Sequence, residues 1–274
     1  MSAMRVMRRK IWLLASLALV ALALCSWLQQ AQQLHQPQNQ ERLLVASAAD
    51  FRPALDELRD DFQRRRPDVA VDVVYGASGK LSSQIEQGAP FDIFFSADSD
   101  YPQRLFDHGH AGGQPVTYAI GRLAIWSTSH DVGHVDIADL AKPEFGRIAI
   151  ANPQHAPYGK RAEQALRAAG VWEQVQQRLV FGDNVTHAAQ FVRSGNADIG
   201  IIATSFTSDG STWKGSHAEV PPSLHEPLRQ SFVLTRTGAD KAIAREFAAH
   251  VQGEAARAIL QRHGFGLPET AKEP

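Results

Sequence analysis

Short apolar runs typical of buried strands alternate with amphipathic runs typical of helices along nearly the whole chain. Strands are predicted at residues 43–47, 69–75, 91–96, 118–126, 147–151, 179–181, 199–203 and 230–235. Helices are predicted at residues 53–65, 81–87, 99–108, 159–169 and 185–194, with one or two more within 240–262. The segment 205–222 is predicted to be loop with one weak strand. This alternation indicates an α/β fold of mainly parallel sheets flanked by helices.

The length and charge of the chain narrow the possible domain organisation and functions further. The 274 residues exceed one ordinary domain and suit two lobes of about 100 residues each. The formal net charge is −1, and basic residues form a block only near the N-terminus. Because nucleic-acid-binding proteins usually carry a clustered basic surface, the composition argues against a nucleic-acid partner.

The N-terminal segment has the pattern of an export signal. Within residues 1–25, basic residues precede an apolar run that ends at Cys25 and is short for a membrane span. Residues 26–41 are rich in Gln and lack periodicity, which predicts a flexible spacer. The chain has no other cysteine, so a disulfide-free exported domain is expected, as suits a bacterial periplasm. The run Leu22-Ala23-Leu24-Cys25 also resembles a bacterial lipoprotein box, which leaves a lipid anchor at Cys25 as the alternative to a cysteine within the signal core.

Four junctions lead from a strand or loop into a helix, and each can present backbone N–H groups that lack a partner. In open α/β sheets such junctions lie beyond the carboxyl ends of strands, where ligands bind, and helix N-termini attract anions. Each junction alone is a weak signal, but together they predict a cleft between two lobes that holds an oxyanion by neutral donors. The four are Ala48-Ala49-Asp50-Phe51, Gly76-Ala77-Ser78-Gly79, Ala156-Pro157-Tyr158-Gly159 and Gly182-Asp183-Asn184-Val185.

Asp50 illustrates a difficulty that a carboxylate in these junctions raises for anion binding. A carboxylate that faces an anion repels it, whereas one that caps the following helix stabilises that helix. We therefore expect the Asp50 side chain to cap the helix and its N–H to face the ligand.

The chain shows no catalytic constellation, and we predict that it is not an enzyme. The histidines fall in predicted loops and helix faces without the spacing of metal ligands, and no Ser lies in a Gly-x-Ser-x-Gly elbow. With no cysteine beyond the signal, a Cys/His mechanism is excluded. Lys80 is followed by Leu81, so the second junction also lacks the ending of a P-loop.

Several motifs resemble those of the periplasmic molybdate-binding proteins of ABC importers. They are Gln84-Ile85-Glu86-Gln87-Gly88-Ala89-Pro90, Phe94-Phe95-Ser96-Ala97-Asp98, and Asn152-Pro153 followed by Ala156-Pro157-Tyr158-Gly159. The likeness spans residues 43–268, nearly the whole chain beyond the signal. It implies a two-lobed periplasmic-binding-protein fold with the ligand in the interlobe cleft.

The resemblance also implies where the ligand is held. Members bind molybdate or tungstate through backbone N–H groups and small hydroxyls, which implies contacts at Ala49, Asp50, Ser78, Tyr158 and Val185. Members often have Ser, Thr or Asn at the positions of Ala49 and Asp50, and some have a Tyr ligand at the position of Ala203, so those side-chain contacts are lost or supplied elsewhere.

The function implied is that of a monomeric periplasmic receptor that delivers molybdate or tungstate to a membrane permease and has no cofactor or resident metal cation. Lobe 1 is expected at residues 42–119 and 229–270 and lobe 2 at 120–228, with hinges near residues 118–121 and 227–230. Closure about the cleft is the expected motion. The alternatives are a receptor for another tetrahedral oxyanion such as sulfate and, less favoured, an enzyme acting on an anionic substrate.

Overall fold

The computed structural model describes residues 40–208 and 213–268. The predicted signal segment 1–25, the spacer up to residue 39 and Cys25 lie outside the described residues. Within the described ranges, no helix has the length and apolar character needed to span a membrane.

The described strands form two five-stranded sheets. The strands are β1 (Glu41–Ala48), β2 (Val69–Gly76), β3 (Ile93–Ser96), β4 (Val116–Gly121), β5 (Leu123–Ser127), β6 (Ile148–Ala151), β7 (Leu179–Gly182), β8 (Ile199–Ala203), β9 (Ser216–Glu219) and β10 (Leu228–Leu234). The first sheet has the order β2-β1-β3-β10-β4 and the second the order β7-β6-β8-β5-β9. We refer to the first sheet with its helices as lobe 1 and to the second as lobe 2.

Helices flank both sheets. The α-helices are α1 (Arg52–Arg65), α2 (Ser78–Glu86), α3 (Asp100–Asp107), α4 (Pro157–Ala168), α5 (Trp172–Val175), α6 (Val185–Arg193), α7 (Ala242–Gln252) and α8 (Glu254–Arg262). Short 3-10 turns occur at Ala49–Phe51, Ile137–Ala141, Gln176–Arg178, Thr204–Phe206 and Pro222–Leu224. The two-lobed α/β fold predicted from the alternation is confirmed.

Each sheet is mixed. In lobe 1, β1 pairs with β3 in parallel, and β10 runs antiparallel to both β3 and β4. In lobe 2, β6 pairs in parallel with β7 and β8, whereas β5 runs antiparallel to β8 and β9. The strands that run antiparallel to their neighbours, β5 and β10, are therefore the first strands after each passage of the chain from one lobe to the other.

The passage from lobe 1 to lobe 2 corrects one predicted element. Residues 118–126 were predicted as a single strand, but the structure divides them between β4 and β5, which belong to different sheets. The chain changes sheet at Arg122 without reversing direction, so no Gly/Pro turn marks the division. Gly121, the last residue of β4, has no room for a side chain, because an added Cβ would lie 2.5 Å from the Tyr158 hydroxyl.

The cores follow the predicted periodicity. On α1, the stripe Leu55, Leu58 and Phe62 is buried against lobe 1, as its spacing predicts. Lobe 2 has its own core, in which Ile150 of β6 and Ile201 of β8 are fully buried. Two buried cores of this kind let each lobe hold the loops at its strand ends in fixed positions.

Candidate functional site

The four predicted junctions meet around one small cavity between the lobes. It lies where α2, α4 and α6 begin and beside the 3-10 turn after β1. Its lining residues are Ala48, Ala49, Asp50, Gly76, Ala77, Ser78, Ala97, Ala156, Pro157, Tyr158, Asn184 and Val185. All five predicted ligand residues are in this set, and each is between 1% and 4% exposed.

Ser78 supplies a hydroxyl to the cavity. It is the first residue of α2, which begins three residues earlier than predicted, and it is buried. Its Oγ accepts a hydrogen bond from the Ala97 N–H at 3.0 Å. Because that bond occupies a lone pair, the hydroxyl proton remains available for a guest in the cavity.

Lobe 2 supplies two helix N-termini. Tyr158 follows Pro157 in the first turn of α4, and Val185 is the first residue of α6. The Asn184 side chain caps α6 by accepting from the His187 N–H at 3.0 Å. The first N–H groups of a helix have no acceptor within it, so both termini direct donors at the cavity.

The second junction also uses one backbone donor in a hydrogen bond between the lobes. The Gly79 N–H donates to the His155 carbonyl at 3.0 Å. A Cβ on Gly79 would lie 2.8 Å from that carbonyl oxygen and 2.9 Å from the Tyr101 hydroxyl. Glycine at this position therefore permits the close approach of the two lobes.

The turn after β1 is fixed by hydrogen bonds to its carbonyl groups. Thr186 Oγ1 donates to the Ala49 carbonyl at 3.3 Å, and Ser205 Oγ donates to the Asp50 carbonyl at 2.7 Å. Both donors come from lobe 2. With its carbonyls held in this way, the turn keeps a constant orientation toward the cavity.

The predicted helix-capping role of Asp50 is wrong. Neither the 3-10 turn nor α1 has a side-chain cap hydrogen bond. The Asp50 carboxylate instead accepts through Oδ2 from Gln230 Nε2, which also donates to the Tyr158 hydroxyl at 3.3 Å. Tyr118 completes the network by donating its hydroxyl to Gln230 Oε1 at 2.8 Å.

Burial raises the pKa of Asp50 to about 6. Donors near the carboxylate, first of all the Gln230 amide, lower the pKa and so offset part of this effect. Burial also holds the pKa values of Tyr118 and Tyr158 well above 10, so both phenols stay neutral. The network is therefore uncharged except when Asp50 ionises.

The positive potential in the cavity comes from the backbone. Among the lining residues that the structure describes, none is Lys, Arg or His. The helices that begin there have 9, 12 and 9 residues, and the N-terminal end of each carries a partial positive charge. Such an arrangement attracts an anion without a counter-charge from a side chain.

The size of the cavity favours a compact guest. Its volume is about 10 Å³, which is close to the minimum that holds one small guest. No group of three or more His, Cys, Asp or Glu side chains within residues 40–208 and 213–268 could hold a metal cation. Ala203 is buried in β8 and is not among the lining residues, so it supplies no contact.

Sequence reasoning missed the partners that hold the site together. Ala97, Gln230 and Tyr118 lie in or beside predicted strands, with no local pattern that marks them as polar partners of the cavity. The Tyr158 side chain was also missed, since only its N–H was considered. Asp50 and Gln230 are 180 positions apart in the chain, so their bond follows from the tertiary fold alone.

Comparisons with known proteins agree over most of the chain. A family model described as bacterial extracellular solute-binding protein matches residues 43–266. The molybdate-binding protein ModA of Azotobacter vinelandii is 37% identical over 229 residues, which cover 81% of this chain and 89% of that protein. The molybdate-binding protein ModA of Rhodobacter capsulatus is 34% identical over 228 residues, covering 81% and 87%.

A solved structure supports the same relationship. The periplasmic molybdate-binding protein of Azotobacter vinelandii matches with a TM-score of 0.76 and 36% identity, covering 83% of this chain and 100% of that one. The range matched by the family model includes all four junctions around the cavity.

Proposed function

The chain belongs to the bacterial extracellular solute-binding proteins, among those of the ModA type, and from this premise we propose that it is a periplasmic molybdate receptor. It delivers the anion to the permease of an ABC importer. The observation that carries this proposal is the cavity itself, which combines helix N-termini and a serine hydroxyl with no cationic side chain.

The chemistry of such a cavity suits molybdate. This anion carries no proton at neutral pH, so its oxygens only accept hydrogen bonds, and a site made of donors matches it. Dipoles and neutral donors fixed before binding need little reorganisation when the anion enters. Tungstate has the same charge and shape, and we propose that the receptor binds it at the same site.

We infer that each proposed contact is made by a hydrogen-bond donor of a residue that lines the cavity. Ala49 and Asp50 contribute backbone N–H groups, and Ser78 contributes its hydroxyl and N–H. Tyr158 and Val185 contribute N–H groups from the first turns of α4 and α6. Burial of all five residues supports their role, because a hydrogen bond to an anion is stronger away from water.

Closure of the lobes would complete the site. We propose lobe 1 at residues 42–119 and 229–270 and lobe 2 at 120–228. Strand membership supports this division to within two residues, since the lobe 1 strand β4 ends at Gly121 and the lobe 1 strand β10 begins at Leu228. The contacts of lobe 2 with the turn after β1 then form as the lobes close around the anion.

The relatives are solute-binding proteins, and we base the proposals on export, oligomeric state and ligand release on this relationship. We propose that residues 1–25 direct export to the periplasm, with a lipid anchor at Cys25 as the alternative to a removed signal. The receptor acts as a monomer without a cofactor, binds no nucleic acid and catalyses no reaction. Release of the anion to the permease would follow opening of the lobes.

Competitive calorimetry with molybdate and sulfate tests this function. Titration of the purified protein with molybdate should release heat with one site per chain, and an excess of sulfate should displace little of it. Sulfate has the same charge but is smaller, so the cavity distinguishes the two by size. Tight sulfate or phosphate binding without any heat from molybdate would overturn the proposal, and turnover of an anionic substrate would revive the enzyme alternative.

A further inference from the structure

The Asp50 carboxyl is an anomaly in a cavity built for an anion. It is 1% exposed, and it is the one carboxyl group among the residues that line the cavity. Its Oδ2 accepts from Gln230, whereas Oδ1 has no hydrogen-bond partner among the residues that the structure describes. A buried polar atom without a partner costs free energy, so an unpaired Oδ1 beside a ligand cavity calls for a physical reason.

The position of Gln230 determines which carboxyl oxygen can carry a proton. Because Gln230 Oε1 accepts from the Tyr118 hydroxyl, the Gln230 amide must direct its NH₂ group toward Asp50. That donor occupies Oδ2, so a hydrogen on Oδ2 would oppose it. Protonated Asp50 therefore holds its hydrogen on Oδ1, the atom without a partner.

The groups that face Asp50 leave its ionised form without a counter-charge. The titratable groups within its network are Tyr118 from β4 and Tyr158 from α4, and both are neutral. Arg52, at the start of α1, lies over the Tyr75 ring at 3.9 Å, and His187 of α6 accepts from the Asp183 N–H at 3.2 Å. In the turn Thr204–Phe206, the Ser205 hydroxyl donates to the Asp50 backbone carbonyl and so carries no charge to the carboxylate.

We propose that Asp50 binds the oxyanion in its protonated form, donating through Oδ1–H, so that binding of the anion takes up one proton. The inference rests on the proposed function and adds a group that selects the protonation state. Ionised, the carboxylate would repel a dianion in a cavity of low polarity. Protonated, it joins the other donors and leaves no unpaired oxygen.

The raised pKa sets the pH range in which this coupling is observable. With a pKa of about 6 in the free protein, Asp50 is half protonated near pH 6 and about 1% protonated at pH 8. Only the protonated fraction is competent, so the dissociation constant should rise roughly 50-fold between pH 6 and pH 8. Molybdate keeps its charge over this range, so the change comes from the protein.

Calorimetric titration of the wild-type protein with molybdate at pH 6, 7 and 8 measures both effects. Repeating each titration in two buffers of different ionisation enthalpy counts the protons taken up. We expect about one proton per anion at pH 8, about half a proton at pH 6, and the 50-fold loss of affinity between them. These measurements need no variant, so they stand even if a substitution impairs folding.

The Asp50→Asn variant supplies the matched test. Its amide can offer Oδ1 to Gln230 and its NH₂ to the anion, which imitates protonated aspartate at every pH. Its affinity should be independent of pH and should exceed that of the wild type at pH 8. Asp68→Asn is the control, because the Arg66 guanidinium holds the pKa of Asp68 below its usual range and Asp68 is not among the lining residues of the cavity; its pH slope should equal that of the wild type.

The outcomes separate this inference from the proposed function. Tight molybdate binding that is independent of pH and takes up no proton would overturn the role of Asp50 and leave the receptor function intact. Phosphate binding that strengthens as the pH rises would show the carboxylate accepting a hydrogen bond, and would also overturn it. An absence of molybdate binding at every pH would overturn both.

Discussion

Arg161 Nη2 lies 3.1 Å from Asp98 Oδ2, and this ion pair joins lobe 2 to lobe 1 with its side chains only 6% and 8% exposed. Arg161 belongs to α4, and Asp98 follows β3. Glu226, in the segment between β9 and β10, lies 3.2 Å from the Arg161 Nη1. Three parts of the chain therefore meet at the Arg161 guanidinium.

Removal of the Asp98 charge should weaken ligand binding more than it weakens either lobe. Arg161 would keep only the exposed Glu226 as a partner, and loss of a buried partner costs up to roughly 3–5 kcal/mol. We expect most of this cost in the closed form, because the pair joins the two lobes. Asp98→Asn should therefore raise the molybdate dissociation constant at least about tenfold, measured by calorimetry. Glu163→Gln is the control, since it breaks the half-exposed pair with Arg167 on the same helix and should leave affinity unchanged.

An equal affinity for Asp98→Asn and the wild type would show that the pair does not contribute to closure. A large fall in melting temperature without ligand would instead assign the pair to the stability of the fold.

Gly79→Ala should prevent full closure of the lobes. The added Cβ would lie 2.8 Å from the backbone oxygen of His155, which cannot move aside as a flexible side chain can. We expect at least a tenfold loss of molybdate affinity with little change in the melting temperature of the free protein, by calorimetry and thermal unfolding. Gly113→Ala, where no atom lies within 4 Å of the added Cβ, should behave as the wild type, and wild-type affinity for Gly79→Ala would contradict the account of this contact.

Ser78→Ala should lose the donor that the hydroxyl offers to the anion. A lost hydrogen bond to a charged group costs roughly 1–3 kcal/mol, and the Ala97 N–H also loses its acceptor. The change in binding free energy is measured by titration with molybdate. Ser83→Ala on the same helix, outside the cavity lining, is the matched control, and no difference between the two variants would remove Ser78 from the site.

Asp50 should also make the stability of the free protein depend on pH. Its pKa rises from 3.8 to about 6 on folding, so between these values the folded state binds more protons than the unfolded state. Stability from this group is therefore full below about pH 4 and is lost as the pH rises toward 6, by up to about 3 kcal/mol. The difference in free energy of unfolding between wild type and Asp50→Asn, from urea titrations at pH 4 to 8 without ligand, should change by this amount in favour of the variant.

Parallel stability profiles for the two proteins would place the Asp50 pKa near its ordinary value. Such a result would also remove the support that this pKa gives to proton uptake on binding.

The parts of the site that are local in sequence could be predicted, because a strand end followed by a helix start constrains its own backbone. The junctions that contain Ser78, Tyr158 and Val185 were predicted in this way, from apolar runs, Gly and Pro at turns, and the start of helical periodicity. The choice of these three residues as ligands came from the family resemblance. The division of residues 118–126 into β4 and β5 was missed for the opposite reason, since a straight passage between sheets has no turn signal.

Asp50 shows where local reasoning fails. A carboxylate before a helix is a good capping residue in isolation, so the local pattern favoured a cap. Gln230, 180 positions further along the chain, donates to the carboxylate instead and also to the Tyr158 hydroxyl. Tertiary hydrogen bonds of this kind depend on the packing of both lobes, which no short segment encodes.

The location of the bound anion is the most direct test of the whole account. Crystals of the protein grown with molybdate should show, in diffraction data collected at the molybdenum absorption edge, one strong anomalous peak in the cavity. Its oxygens should lie about 2.7–3.1 Å from Ser78 Oγ and from the backbone nitrogens of Tyr158 and Val185. A cavity without an anomalous peak in crystals of protein saturated with molybdate, or a peak elsewhere in the molecule, would contradict the account.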